Sequence, residues 1–270
     1  MNQSYPLPVG APERGQKRGC ARLVVPEMVG NAVDPVLNGH KENVSKIGRR
    51  PASRGANSQE SPMIRRERYM KLYYTPGACS MAAHITALEA GIHLDLERVD
   101  LATHKTETGA DFYGINPKGS VPALQLNDGE ILTENTAILL FLAQRKPESG
   151  MAPPIGDPAW FRGVEWLSFV ATEIHQGYGP LWNRSLDAKA RESAIVKLKR
   201  RLDFLEKHLK DNPYLLPGGY SVADAYLFVV LNWSDMVKFD LNPWPSLRSY
   251  RAIVGDRPAV RRALQAEGLL

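Results

Sequence analysis

A Pro- and Gly-rich segment, PESGMAPPIGDP at 147–158, separates two stretches of sequence with different periodicity. Before it, short runs of strand type alternate with helical runs, whereas after it every periodic run is helical. This change indicates a small α/β domain followed by an all-α domain. The predicted boundaries are 70–147 for the first domain, 148–157 for the linker and 158–270 for the second.

The first domain is expected to contain strands and helices in the order β-α-β-α-β-β-α. The segments that predict this order are KLYY (71–74), SMAAHITALEAG (80–91), LDLERVD (94–100), a weak helix at 106–113, PALQL (122–126), EILT (130–133) and ENTAILLFLAQRK (134–146). Gly91 is typical of a helix end, and the Asp-Gly pair at 128–129 is typical of a hairpin turn.

The second domain is expected to consist of helices that each have one apolar face. Two long helices, over residues 157–175 and 190–210, repeat apolar residues at spacings of three and four. A third begins at Ser221, which stands three residues before Asp224 in a capping-box pattern. A proline at 258 predicts the start of a last short helix.

Residues 1–69 differ from the rest of the chain in composition and charge. They hold 12 Lys and Arg against 6 Asp and Glu, whereas residues 70–270 hold 22 against 23. The segment is rich in Pro, Gly, Ser and Arg and keeps no period, which predicts a mostly disordered extension. The alternative is a mis-assigned start, with Met70 as the true first residue.

The composition argues against several classes of function. Because the basic excess lies in the first 69 residues, the remainder has no electrostatic case for a nucleic-acid partner. No apolar run approaches the roughly 18 residues that span a bilayer, so no membrane partner is expected. Two cysteines cannot form a disulfide framework, which favours the cytoplasm. The histidines show no metal-ligand spacing, so we expect no metal and no resident cofactor.

Cys79 lies in YYTPGACSMAAH (73–84), between the first strand and the first helix. A thiol at a helix start meets unpaired N–H groups and the positive end of the helix dipole, and both favour the thiolate. The residues three before and three after it are Pro76 and Ala82, so it has no Cys-x-x-Cys partner. Cys79 is therefore either a reactive thiol that pairs with an external thiol or a small buried apolar residue.

Five motifs, in this order along the chain, resemble those of the glutathione S-transferases, and within them the bacterial beta class. They are YYTPGACS (73–80), INPKGSVPAL (115–124), LTENTAI (132–138), EIHQGY (173–178) and SVADAYLF (221–228). The resemblance covers the chain from Met70 onward. It implies a thioredoxin-like first domain followed by the all-helical second domain of that family.

The same resemblance implies a site for glutathione, which is a cosubstrate and not a resident cofactor. Cys79 and His175 match the catalytic positions, and Cys79 either forms a mixed disulfide or steadies the glutathione sulfur. The positions implied for glutathione binding are Ala78, Lys105, Lys118, Val121, Pro122, Glu134, Asn135 and Ser168.

Several of these roles are suited to the chemistry of glutathione. Pro122 is expected to be cis, so that the backbone of Val121 binds the cysteinyl part as an added strand would. Glu134 offers a negative charge to the γ-glutamyl amine, and Asn135 at a helix start offers donors to its carboxylate. The competing interpretation of Glu134 is ordinary helix capping after Thr133.

Two positions depart from the family pattern. His104 stands where many beta-class members carry Lys, so Lys105 beside it becomes the candidate that reaches glutathione. Ser168 stands where many members carry Asn, and its contact with glutathione would cross a dimer interface. Lys118, on a loop, is the candidate for the glycine carboxylate. In other transferase classes a Tyr or Ser near the end of the first strand activates the glutathione sulfur, which makes Tyr74 the alternative candidate, but here it is expected to be part of a wall or of the core.

The resemblance implies a homodimer that transfers glutathione to small hydrophobic electrophiles, carries out thiol–disulfide exchange through Cys79, or does both. Glutathione and the electrophile are thus the expected small-molecule partners, and detoxification is the expected role. The alternative is a scaffold of the same fold that binds ligands without catalysis.

Overall fold

The computed structural model describes residues 70–270, so the expectations for residues 1–69 lie outside the described part of the chain. The first half is a five-stranded sheet in the order β3-β2-β1-β4-β5. Its strands are β1 (Met70–Tyr74), β2 (Leu94–Asp100), β3 (Lys105–Thr106), β4 (Ala123–Gln125) and β5 (Ile131–Thr133). β1 and β2 are parallel, and every other neighbouring pair is antiparallel. This is the thioredoxin-like arrangement that the resemblance implies.

Helices make up the rest of the described chain. They are α1 (Met81–Glu89), α2 (Asn135–Arg145), α3 (Pro158–Phe169), α4 (Gln176–Trp182), α5 (Ala188–Asp211), α6 (Val222–Met236), α7 (Pro245–Gly255) and α8 (Pro258–Ala266). A π-helical stretch, Val170–His175, joins α3 to α4 without a break. The predicted combination of an α/β domain with an all-helical domain is confirmed. None of the helices within 70–270 is long and apolar enough to cross a membrane.

Several local predictions are confirmed at the level of single residues. Ser221 and Asp224 form the reciprocal capping box at the start of α6. Gly91 follows α1 with a φ of 66°, a left-handed conformation that glycine adopts at little cost. The turn between β4 and β5 likewise uses Gly129, with a φ of 96°. Turn and cap chemistry therefore fixes these element ends, as the sequence indicates.

The weak helix predicted at 106–113 is wrong. Thr106 ends β3, and a single 3₁₀ turn, Phe112–Gly114, follows after a loop in which Gly109 has a φ of 89°. The Asp111 side chain accepts the backbone N–H of Tyr113 at 3.0 Å. Local side-chain bonds of this kind compete with an α-helix, which explains why the apolar periodicity does not produce one.

The helix predicted over 157–175 begins one residue later but does not keep α geometry to its end. The Thr172 hydroxyl donates to the Ser168 carbonyl at 2.9 Å where the chain changes from α to π hydrogen bonding. Such back-bonding and π turns deform helices, and π turns are common at functional sites. His175 is the last residue of this π-helical stretch.

The two halves of residues 70–270 share one continuous core. α1 of the first half packs against α6 and α8 of the second. α6 is buried along nearly its whole length, and its apolar side chains join those of α1 and α2 in the main core. The loop that follows β1 is therefore held between the sheet and the helical domain.

Candidate active site

The loop between β1 and α1, residues 75–80, presents Cys79 at its end. Ser80 closes this loop, because its Oγ accepts the Thr75 N–H at 3.2 Å and donates to the Thr75 carbonyl at 3.3 Å. Ser80 is also the N-cap residue of α1, so Cys79 stands just before the helix and not inside its first turn. The sequence motif thus makes a compact turn with Cys79 near its end.

Gly77, in the middle of this loop, is held by two residues of the helical domain. Its N–H donates to Glu267 Oε2 at 3.0 Å, and its carbonyl accepts Trp233 Nε1–H at 2.8 Å. The other Glu267 oxygen lies 3.0 Å from Nδ1 of His84 on α1. Gly77 also has a φ of 72°, a conformation that suits glycine better than any other residue. The helical domain therefore fixes the peptide two residues before the thiol.

Cys79 itself sits in apolar surroundings. Its thiol donates to the Val121 carbonyl at 3.4 Å, and the side chain packs against the main core while keeping partial exposure. Loss of solvation raises the pKa of Cys79 to about 12, while the nearby backbone N–H groups of Cys79 and Ser80 lower it by less. The expectation of a thiolate favoured by the helix start is therefore wrong for the ligand-free protein.

Val121 and Pro122 place a backbone edge opposite the thiol. The peptide bond between them is cis, as predicted. The chain then enters β4 at Ala123, which pairs with Thr133 of β5 and with Tyr73 of β1. Val121 lines the same cleft as Ala78 and Cys79. The structure therefore brings these three predicted residues together.

His175 reaches the same cleft from the helical domain. Its Nδ1 lies 2.6 Å from the Tyr226 hydroxyl, and its ring stands edge-on to Trp233 with centroids 4.6 Å apart. Burial lowers the pKa of His175, so the imidazole is neutral near pH 7. The predicted catalytic pair, Cys79 and His175, therefore lines one cleft.

Glu134 and Asn135 stand at the start of α2. Glu134 is the N-cap residue but its side chain makes no capping hydrogen bond, so Thr133, which ends β5, is not the cap. Glu134 has a φ of 70°, which is unfavourable for a residue with a side chain. Its carboxylate instead pairs with Lys118 Nζ at 2.5 Å. This predicted binding group is thus exposed and bonded to a second predicted residue.

The Asn135 side chain is buried and has no hydrogen-bond partner among the described residues. It lies near enough to the Tyr226 hydroxyl to lower the pKa of that phenol, against the larger rise from burial, but the two groups do not reach hydrogen-bond geometry. A buried amide without a partner costs free energy, about 1–3 kcal/mol for a lost bond. Asn135 therefore has unused donors and an unused acceptor at the helix start.

Six of the predicted site residues are not among those that line the cleft, namely Lys105, Lys118, Pro122, Glu134, Asn135 and Ser168. Lys105 is exposed on β3, and the neighbouring His104 takes the lining position, with its ring 4.4 Å from that of Tyr113. Because His104 has a φ of 51°, the turn directs it and not Lys105 inward. Ser168 is exposed on α3, away from the lining residues, and Tyr74 is buried in the core.

The cleft has a volume of about 530 Å³. One side is formed by the loop before α1 and the Val121 backbone, and the other by apolar side chains. The apolar lining residues are Leu101, Trp182, Trp233 and Met236. A larger groove of about 960 Å³ lies on α6, α7 and α8 and shares only Gly77 and Met236 with this cleft. Cys79 and His175 do not line that groove, so the smaller cleft is the candidate active site.

Two residues of the site were missed by reasoning from the sequence. Tyr226 lies in the motif SVADAYLF, but the pattern does not show that its hydroxyl meets His175. Glu267 is the residue that follows α8 near the C-terminus, and nothing in its neighbourhood signals a bond to a glycine 190 positions earlier. Pairing of distant segments is what places both residues.

Comparison with known proteins agrees with this fold. The family model described as "Glutathione S-transferase, N-terminal domain" matches residues 77–145, and the corresponding C-terminal model matches residues 188–266. "Glutathione S-transferase GstA" of Escherichia coli O157:H7 is 39% identical over 200 residues, which are 74% of this chain and 100% of that protein.

Two solved structures show the same similarity. A bacterial beta-class glutathione S-transferase of Sphingomonas chungbukensis is 44% identical, and a sphingomonad glutathione S-transferase complexed with glutathione is 43% identical. In each case the TM-score is 0.72, and the match covers 74% of this chain and 100% of the other. The fold and the site define a thioredoxin-like domain joined to a helical domain that shares its cleft. The chain belongs to the glutathione S-transferase family, and it is a transferase enzyme.

Proposed function

We propose that the cleft binds glutathione with its sulfur between Cys79 and His175, and that the enzyme transfers it to a small hydrophobic electrophile. The observation that carries this proposal is that one cleft is lined both by the candidate catalytic residues and by apolar side chains. Cys79, the Val121 backbone and His175 meet in the cleft beside the apolar side chains of Trp182 and Met236. A thiol-binding end thus adjoins an apolar end, which is what the two substrates need.

Glutathione is held at several points. The backbone of Val121, which lines the cleft, pairs with the cysteinyl N–H and C=O in the manner of an added strand. Glu134 binds the γ-glutamyl amine, and the unpartnered amide of Asn135 binds the γ-glutamyl carboxylate at the start of α2. Lys118, which is paired with Glu134 before binding, is then close to the anionic groups of the ligand.

His104 and Ser168 complete the contacts at the other end. His104 lines the cleft in the position that the resemblance gives to a lysine, and it replaces Lys105 as the candidate that reaches glutathione. Its buried Nδ1 has no partner among the described residues. Ser168, exposed on α3, contributes only from a second copy of the chain.

The transfer step needs a thiolate but no oxidant. With an organic halide as the electrophile, the glutathione thiol first gives its proton to solvent. Its sulfur then attacks the electrophilic carbon, and the carbon–halogen bond breaks as the halide leaves with the electron pair. Because the pKa of Cys79 is raised to about 12, Cys79 remains a thiol and donates a hydrogen bond to the glutathione sulfur. Lowering the energy of the thiolate in this way assists the attack.

A second activity, thiol–disulfide exchange, is favoured by the partial exposure of Cys79 and the absence of another cysteine in residues 70–270. The Cys79 thiolate would attack a disulfide between glutathione and a second small thiol, forming a Cys79–glutathione disulfide and releasing the small thiol as its thiolate. Free glutathione would then attack this disulfide, which restores the Cys79 thiolate and releases oxidised glutathione. The raised pKa of Cys79 makes this the slower route in the ligand-free protein.

Replacement of Cys79 by alanine separates the two activities. The C79A variant should keep glutathione binding by calorimetry and conjugate 1-chloro-2,4-dinitrobenzene about five- to tenfold more slowly, because one hydrogen bond to the thiolate is lost. Its exchange activity with a disulfide between glutathione and a second small thiol should disappear. The C20S variant serves as the matched control and should keep both activities.

Two outcomes would contradict the proposal. Wild-type protein that shows no heat of binding with glutathione would instead support a non-catalytic scaffold. Loss of all conjugation in C79A, with binding retained, would show that Cys79 acts covalently in the transfer itself.

We also propose that the enzyme is a homodimer, that it acts in the cytoplasm, and that its role is detoxification. Phe161 on α3 is 70% exposed and stands seven residues before Ser168, so both lie on one face of that helix. Phenylalanine is among the aromatic residues that are enriched in protein–protein interfaces. A partner on this face would bring its Ser168 toward the cleft.

Light scattering tests the dimer at micromolar concentration. The wild-type protein is expected to show twice the chain mass, and Phe161→Asp should shift it toward the monomer, because a charge cannot be buried without a partner. Ile253→Asp is the control, because it places the same charge at an exposed apolar position on α7, outside the proposed α3 face, and should not affect assembly. A wild-type monomer mass would overturn the proposal.

A further inference from the structure

The partner of the candidate catalytic histidine is a buried tyrosine of α6. The Tyr226 hydroxyl lies 2.6 Å from His175 Nδ1, and the two rings are nearly perpendicular at 89°. Tyr226 is only 2% exposed. The contact is therefore a short hydrogen bond protected from solvent, and its direction decides which nitrogen of His175 carries the proton.

The direction of this hydrogen bond follows from the available acceptors. Burial raises the pKa of Tyr226 well above its ordinary value, so the phenol keeps its proton. Within residues 70–270, His175 Nδ1 is the partner of this hydroxyl that meets hydrogen-bond geometry, and the Asn135 amide lies close by without doing so. A phenol proton that points at Nδ1 uses this short contact, and Nδ1 then offers its lone pair.

We infer that Tyr226 is a positioning residue that holds His175 as the Nε2–H tautomer, so that His175 donates a hydrogen bond to the glutathione thiolate and does not remove its proton. The inference rests on the proposed function, since it specifies how His175 acts there. A neutral imidazole whose Nδ1 accepts a hydrogen bond carries its proton on Nε2. The thiol proton of glutathione then leaves to water.

The position of Tyr226 on α6 keeps this arrangement rigid. Tyr226 and Trp233 stand seven residues apart on the same buried face of the helix, and both contact the His175 ring edge-on. Trp233 is itself fixed by its hydrogen bond to the Gly77 carbonyl. One helix thus orients the imidazole and the loop that carries Cys79 at the same time.

Nitrogen-15 NMR of the imidazole in the whole enzyme tests the tautomer directly. Wild-type His175 should show a protonated Nε2 and an unprotonated Nδ1, and Tyr226→Phe should shift the ring toward a mixture of tautomers. A protonated Nδ1 in the wild-type enzyme would overturn the inference, whether or not the variant folds.

Kinetics provide the second readout. Tyr226→Phe should lower kcat/KM for conjugation about five- to tenfold while KM for glutathione changes by less than about twofold, because a single hydrogen bond is lost. In a His175→Ala background the same change should have no further effect. A full additional loss in that background would show that Tyr226 acts independently of His175 and would overturn the inference.

Tyr178→Phe is the matched control. Tyr178 is fully buried and its hydroxyl lies 2.6 Å from Ser234 Oγ, so the change removes an equivalent hydrogen bond without contacting His175. Its conjugation kinetics should equal those of the wild type, and an equal loss in both variants would overturn the inference. If His175→Ala alone conjugates normally, the proposed role of His175 is wrong. If His175→Ala lowers conjugation but Tyr226→Phe does not, the role of His175 stands and the positioning role of Tyr226 is wrong.

Discussion

Alkylation of Cys79 by iodoacetamide in the ligand-free enzyme is expected to accelerate about tenfold for each pH unit between about pH 7 and pH 10. Only the thiolate reacts, and a thiol whose pKa is raised to about 12 gains thiolate in proportion to hydroxide throughout this range. The rise over the whole interval is about a thousandfold. Mass spectrometry of the C20S protein, in which Cys79 is the sole cysteine, gives the rate at each pH.

Free glutathione under the same conditions supplies the control, because an ordinary thiol should level off near its pKa of about 8.5–9. A rate for Cys79 that levels off below about pH 8 would contradict the raised pKa. It would restore the interpretation in which the helix start favours the thiolate. Protection by bound glutathione would further place the ligand over the sulfur.

The difference between the expected and the observed state of Cys79 shows the limit of local reasoning. The sequence correctly places the thiol between β1 and α1, and the backbone N–H groups of Cys79 and Ser80 do lower its pKa. The larger effect is loss of solvation, which comes from packing against the main core. That core is built from helices distant in sequence, so the sign of the shift cannot be read from the motif.

Elements whose signals are local were predictable. The capping box at Ser221 and Asp224, the hairpin turn at Gly129 and the end of α1 at Gly91 each depend on residues within a few positions. α7 was missed although its signal is equally local, since Pro245 opens it and apolar residues follow at helical spacing. The lack of a helix at 106–113 shows the reverse case, in which hydrogen bonds from side chains to the nearby backbone prevent the helix that a weak helical pattern predicts.

The side chains that act together in the cleft were predictable only through resemblance to a family. Val121, Cys79 and His175 come from three separate motifs, and no periodicity shows that they share a cleft. Their supporting partners, Tyr226 and Glu267, were not found at all. Partners of this kind are determined by how α6 and the C-terminal tail pack on the first domain, which one sequence does not specify.

Replacement of Glu134 by glutamine is expected to raise KM for glutathione about 10- to 100-fold and to leave kcat nearly unchanged. The substitution removes the charge that we propose binds the γ-glutamyl amine, and a hydrogen bond between charged groups contributes about 1.5–3 kcal/mol. Each 1.36 kcal/mol corresponds to about tenfold. The γ-glutamyl amine is remote from the reacting sulfur, so the loss should appear in binding and not in the chemical step.

Glu130→Gln is the matched control, because Glu130 is an exposed glutamate just before β5. Steady-state conjugation at varied glutathione concentration should give unchanged constants for this variant. Unchanged constants for Glu134→Gln as well would show that the carboxylate does not hold the ligand.

Glu134→Gly separates the binding role of this residue from its structural role. Glu134 adopts a φ of 70°, and its side chain makes no capping bond, so glycine should relieve strain and cost α2 nothing. We therefore expect Glu134→Gly to melt no lower than the wild type and yet to show at least the KM defect of Glu134→Gln. Glu134 adopts a conformation that favours glycine, and its carboxylate does not cap the helix. Binding of a ligand by this carboxylate best explains why glutamate stands at the position. A variant that melts lower but binds glutathione normally would assign Glu134 to the fold instead.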